Sequence, residues 1–94
     1  MKFTVRNTVQ RFSGQYGWYY LELDEIISKD LRPMLKDLWP ALLKARFTIN
    51  NTTWNSSIMP IKDGPLFIAL PAKIRKTENI DVDQSINVTV ELEI

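Results

Sequence analysis

The chain contains no cysteine and no histidine. Without cysteine there are no disulfides, no thiolate nucleophile and none of the usual structural zinc sites. Without histidine the commonest general base near neutral pH and the commonest metal ligand are both missing. Ser-His-Asp and Cys-His-Asn triads are therefore impossible. No window approaches the roughly 20 apolar residues that a membrane-spanning helix needs. The opening Met1-Lys2-Phe3-Thr4-Val5-Arg6 has no apolar stretch of the kind found in signal peptides. A cytoplasmic location without membrane contact is the expectation. An excess of one charge is also missing: 12 basic residues face 11 acidic ones, for a net charge of +1. That balance argues against a non-specific grip on nucleic acid as the main task, while leaving room for a local basic patch.

What is present suits one small globular domain. At 94 residues, with 45% hydrophobic residues, the chain can bury a single modest core. Three Trp, three Tyr and four Phe supply much of it, each removing roughly 150–250 Å² from water when buried.

The hydropathy pattern is mainly that of strands. Over residues 2–12, Phe3, Val5 and Val9 share one parity while Lys2, Thr4, Arg6, Thr8 and Gln10 take the other, with Asn7 as a polar interruption. A turn over Ser13–Gly17 leads to a second strand, Trp18–Leu23, apolar on both parities. The chain thus opens with a β-hairpin whose second arm is at least partly covered on both faces. Asp24 suits a helix N-cap. Ile27, Leu31, Leu35, Leu38 and Leu42 then follow helical spacing, interrupted by Pro33 and Pro40. Because proline disfavours a helix interior, two short helices are expected, over 25–31 and 34–39, with a bend between them.

After Pro40 the period returns to two. Leu43, Ala45, Phe47 and Ile49 alternate with Lys44, Arg46, Thr48 and Asn50. Asn50-Asn51 suits a tight turn, and Thr52–Met59 returns with Trp54, Ser56 and Ile58 on one face. Pro60 ends that strand, Asp63-Gly64 turns the chain, and Pro65–Leu70 is a short buried strand. Pro71 suits the first position of a helix reaching about Thr77, with Asn79 as a left-handed cap. Ile86, Val88, Val90, Leu92 and Ile94 face one way in the last strand, opposite Ser85, Asn87, Thr89, Glu91 and Glu93. A one-residue slip would invert every position, so this register is firmly specified.

Taken in order, Ala45–Asn50, Trp54–Pro60, Asp63-Gly64, Phe67–Pro71, Ile74-Arg75-Lys76 and Val88–Leu92 resemble the bacterial and archaeal family known as domain of unknown function 1905. The early Gly17-Trp18-Tyr19-Tyr20 fits as well, so the resemblance covers nearly the whole chain; the segment over 24–40 matches least. It implies a small double-split β-barrel, or pseudo-barrel, of about six to seven strands with short helices, grouped with AbrB/MazE-type DNA-binding proteins. It implies no activity, no cofactor and no catalytic residues. Asn79 stands where relatives usually have glycine, and Asp83-Gln84 where they have a Gly-Asp turn.

Several residue groups are candidates for function. Lys73, Arg75 and Lys76 form a basic helix that could contact phosphate. The alternative is that Ile74 packs inward and the cations are solvated, with Lys76 favoured by the helix dipole. Trp54, Ser56 and Arg46, on neighbouring strands, could line a small-ligand pocket, or Trp54 is simply core. Trp18, Tyr19 and Tyr20 could stack bases, but they lack interleaved cations, which favours two-sided burial in a barrel wall. The acidic pairs Asp24/Glu25, Asp81/Asp83 and Glu91/Glu93 read as capping, turn and exposed strand positions. The adjacent Ser28 and Lys29 point in different directions on a helix and form no catalytic dyad. No metal or other cofactor is expected. The reading is a non-enzymatic module that binds a small ligand or a protein. Nucleic-acid binding through the helix around Arg75 is the alternative, and monomer against dimer stays open.

Overall fold

A computed structural model describes residues 1–13, 17–38, 42–61 and 64–93. The central residues of the Ser13–Gly17 turn, the Pro40 boundary, Asp63 of the Asp63-Gly64 turn and the inward placement of Ile94 fall outside the described residues. The elements run β1 (Lys2–Thr8), β2 (Gln10–Arg11), β3 (Tyr19–Glu22), α1 (Glu25–Leu38), β4 (Leu43–Ile49), β5 (Thr52–Pro60), β6 (Leu66–Ala69), α2 (Ala72–Glu78) and β7 (Ser85–Leu92). The seven strands form one sheet in the order β1-β7-β4-β5-β6-β3-β2, antiparallel at every pairing. Its edges, β1 and β2, are consecutive in the chain and separated only by Val9. One continuous segment thus supplies both edges, and the sheet curls into a nearly closed, mainly-β barrel with two short helices.

That closure explains why residues 2–12 are not one strand. β1 pairs with β7, whereas β2 pairs with β3. At Val9 the chain changes partner. Its N–H donates to the Gln84 carbonyl and its carbonyl accepts from the Asp83 N–H, both at 2.8 Å. Asn7 helps close the gap by donating from Nδ2 to the Glu22 carbonyl at 3.2 Å. The opening hairpin exists but is only a two-residue ladder, Gln10↔Tyr20 and Arg11↔Tyr19.

The core lies inside the sheet. Val5, Leu21, Ala45, Phe47, Ile58, Ile68, Val88 and Val90 are almost wholly shielded from water. Each large aliphatic or aromatic side chain buried there is worth roughly 1.5–3 kcal/mol relative to exposure. β7 alternates as its pattern requires, with Ile86, Val88, Val90 and Leu92 buried. Its pairing to β1 and β4 sets Val90 opposite both Phe3 and Phe47. The β4–β5 turn joins Ile49 to its partner Thr52, with Asn50 at φ 53°. Asn79 adopts the left-handed cap conformation, φ 53° and ψ 46°. Asn and Asp tolerate that region better than other non-glycine residues.

The helices differ from expectation in three respects. α1 is one helix running through Pro33, not two. Pro33 and Lys29, whose carbonyl loses its partner, both lie on the exposed side, where water can satisfy that carbonyl. Leu31 and Leu35 are buried on the opposite side and hold the helix to the sheet. Leu38, assigned to the apolar stripe, is instead 44% exposed at the helix end. Pro71 is the N-cap of α2, one position before that expected. Asp24 caps α1 as anticipated, its Oδ1 accepting the Ile27 N–H at 2.8 Å.

Candidate functional site

The two helices sit at opposite ends of the β3–β6 pair. α1 follows the end at Glu22 and Leu66; α2 follows the end at Tyr19 and Ala69. At the latter end the Leu70 N–H donates to the Tyr19 carbonyl at 2.9 Å. Pro71, at φ −61° and ψ 150°, then turns the chain into α2. Ile74 packs into the core, which brings the next residue over Tyr19. The Arg75 guanidinium carbon lies 3.8 Å from the Tyr19 ring centroid, and its Nε donates to the Leu70 carbonyl at 3.0 Å. A cation over a ring face at this range is attracted by the ring's negative quadrupole.

A second guanidinium converges on the same ring. Arg11 is the ladder partner of Tyr19. Its guanidinium carbon is 5.7 Å from the ring centroid, and its Nε donates to the Gly17 carbonyl at 3.2 Å. Gly17 makes this placement possible. Its φ is +49°, and a Cβ there would lie 2.5 Å from the Arg11 Nε. Among the described residues the one ion pair is Arg46–Glu91 at 2.7 Å, so neither Arg11 nor Arg75 meets a carboxylate within that set. The Arg75 Nη groups make no hydrogen bond there either.

This basic–aromatic cluster borders a groove of about 350 Å³ lined by Gly17, Trp18, Tyr19, Leu70, Pro71 and Arg75, with Ala69 and Ala72. Trp18, immediately before β3, is 53% exposed, whereas within β3 the adjacent Tyr20 and Leu21, on opposite faces, are both buried, as expected of a strand apolar on both parities. Tyr20 is buried on the outer face beneath Phe12, stacked at 3.9 Å, with Phe67 edge-on at 5.6 Å. Burial pushes the Tyr20 phenol above its ordinary pKa, the nearby Glu22 charge adds to that, and its hydroxyl donates to Gln10 at 2.9 Å.

The other candidates separate. Lys73 and Lys76 are exposed on α2 and line no part of this groove. Arg46 does not share a pocket with Trp54 and Ser56. Period-two alternation puts Trp54 and Ser56 on the inner face, opposite Phe47 and Ala45, and Arg46 on the outer face opposite Asn55 and Glu91. Trp54 packs on Phe47 at 5.4 Å, and its indole Nε1 is buried without a hydrogen-bond partner. Arg46 lies instead in a shallow outer groove with Lys2, Thr48, Thr53, Thr89 and Glu91.

A larger groove, about 590 Å³, lies at the α1 end. Three of its polar side chains, Asp24, Ser28 and Arg32, serve to cap or dock the helix, whereas Glu22, Glu25 and Lys29 make no side-chain bond among the described residues. Asp24 caps α1, Arg32 donates to the Gly64 carbonyl, and the buried Ser28 hydroxyl bridges the Leu23 carbonyl and the Leu66 N–H at 3.4 and 3.3 Å. No group of three or more metal-ligating side chains exists among the described residues, and none of their helices is long and apolar enough to cross a membrane.

Sequence reading singled out Arg75 and the Trp18-Tyr19-Tyr20 run separately, and dismissed the run for want of cations. The cations are supplied across space. Arg75 is 56 positions beyond Tyr19 by residue number (75 − 19) and Arg11 comes from the facing strand. The local signal available was Gly17 immediately before a run of three aromatics.

The fold and groove define a small, nearly closed β-barrel with a basic–aromatic mouth. The family described as "Domain of unknown function (DUF1905)" matches residues 6–90, and the chain belongs to it. No curated protein and no solved structure gives a significant match.

Proposed function

We propose that the protein is a non-enzymatic binding module, acting in the cytoplasm, that takes a small anionic ligand in the groove beside Arg75 and Tyr19. One observation carries the reading: an exposed tryptophan and an arginine without a carboxylate partner among the described residues border the same concave, mostly apolar surface. An apolar cleft with a few placed polar groups is the usual form of a small-molecule site. The lack of histidine and cysteine supports a non-enzymatic role. A thermal-shift screen of charged aromatic metabolites tests the reading, because a ligand binding only the native state raises apparent stability. At least one compound should raise the melting temperature of the wild type and not of Arg75→Ala. A screen in which no compound distinguishes the two contradicts it.

A second reading rests on Lys73 and Lys76, exposed on α2 and free of ion pairs among the described residues. They would contact the phosphates of a nucleic-acid strand passing Arg75. Affinity would then fall steeply with salt, in proportion to the phosphates contacted.

A further inference from the structure

We infer that the ligand of the Arg75–Tyr19 groove is a nucleoside monophosphate, a flat ring carrying one phosphate; this rests on the binding-module reading above. Three features converge on that chemistry. First, the Arg75 guanidinium already lies on the Tyr19 ring at 3.8 Å and itself lines the groove. A planar guanidinium offers a stacking platform to a base while its fork of donors suits phosphate oxygens. Its Nε is taken by the Leu70 carbonyl, which fixes the group and leaves the Nη donors for a ligand. Second, the half-exposed Trp18 stands at the rim, and a base stacked on an aromatic side chain gains roughly 1–3 kcal/mol whatever its identity. Third, the charges are complementary. Arg75 lines the groove with no carboxylate partner within the described residues, and Arg11 adds a second positive charge behind the groove wall at Tyr19, so the site favours a ligand bearing a compact dianion.

Size and charge favour a free mononucleotide over a strand. The groove's 350 Å³ is near the lower bound of small-molecule sites, roughly 300–1,000 Å³. The net charge of +1 shows no overall basic excess of the kind that favours polyanions. One phosphate held by Arg75 gives a shallow salt dependence, with a log–log slope no steeper than about −1.

The test is a fluorescence titration of the intact chain with AMP, CMP, adenosine, inorganic phosphate, 4-hydroxybenzoate and a 12-nucleotide single strand. Trp18→Phe identifies the reporting indole. AMP and CMP are expected to saturate at one per chain. Adenosine and inorganic phosphate should each bind about tenfold or more weaker, because each lacks one half of the recognition. Arg75→Ala should weaken AMP by about tenfold or more. Arg75→Lys keeps the charge on α2 but loses the planar fork, and should weaken AMP similarly while the far-ultraviolet circular dichroism stays that of the wild type. Adenosine binding as tightly as AMP would overturn the inference, as would phosphate alone doing so. So would a strand that binds far tighter than AMP with a steep salt slope. Binding of 4-hydroxybenzoate with no nucleotide binding would reject the nucleotide and leave the groove a ligand site. Silence from every compound would remove both.

Discussion

Ser28→Ala isolates one hydroxyl that couples α1 to the barrel. Beyond the last β3–β6 pair, the Leu23 N–H donates to the Leu66 carbonyl at 2.9 Å. The reciprocal bond is relayed: the Leu66 N–H donates to Ser28 Oγ at 3.3 Å, and Ser28 Oγ donates to the Leu23 carbonyl at 3.4 Å. Both distances are long, so the net favourable contribution of each bond lies near the low end of the ordinary range, about 0.5 kcal/mol. The greater loss is the buried Leu66 N–H left without a partner, about 1–3 kcal/mol. Partial closure of the ladder would recover some of this, so about 1–2 kcal/mol is expected. With an unfolding entropy of about 2.1 cal/mol/K per residue, 94 residues give about 0.2 kcal/mol/K, and the melting temperature should fall by about 5–10 °C. Differential scanning calorimetry reads that shift, and hydrogen exchange should quicken at the Leu66 amide. An unchanged melting temperature with Leu66 still protected would refute the relay, since Leu66 would then be bonding Leu23 directly.

Other positions give sharp expectations. Asn79→Ala should cost about 1 kcal/mol in urea denaturation because alanine tolerates the left-handed cap poorly, whereas Asn79→Gly should be neutral or slightly stabilising; equal stabilities would contradict that reading of the cap. Gly17→Ala should destabilise by about 1–2 kcal/mol, from the positive φ and the clash with Arg11, and should weaken ligand binding with it; a fully stable variant would mean the Arg11 placement is not held by Gly17. Glu78 accepts from Thr52 at 2.5 Å and Asn50 at 2.7 Å, and these bonds, Thr52 first, hold its carboxyl below its usual pKa. Its stabilising effect is therefore complete above the ordinary carboxylate pKa and is lost as pH falls through the lowered folded value. Glu78→Gln should be less stable at neutral pH and less sensitive to acid in that window; an identical pH profile would count against the bridge.

Legibility in the sequence followed locality. β7, the Asn50 turn and the Asn79 cap were readable because period-two alternation and a short polar side chain in a left-handed conformation are local properties. The break at Val9 was not, because β1 ends where its partner β7 begins, and the pairing joins residues near opposite ends of the chain. The continuity of α1 through Pro33 depended on which side of the helix meets the sheet, a tertiary fact that outweighed the proline's local preference. Arg46 could have been separated from Trp54 by strict use of alternation once their strands were paired, since Trp54 faces Phe47, the neighbour of Arg46. For the groove, Arg75 and the aromatic run were visible one at a time. Their meeting was not, because Arg75 reaches Tyr19 only through the β3–β6 pairing and the turn at Pro71.

The central claim is that the mouth at Tyr19 and Arg75 is where this protein binds. Amide chemical-shift mapping tests it directly, with a mixture of phosphate- and carboxylate-bearing aromatic compounds added to the labelled chain. The predicted result is saturable shifts clustered at Gly17, Trp18, Tyr19, Leu70, Ala72 and Arg75, with β7 unmoved. Shifts centred instead on the outer groove at Thr48, Thr53 and Thr89, or no saturable shift at all, would contradict it.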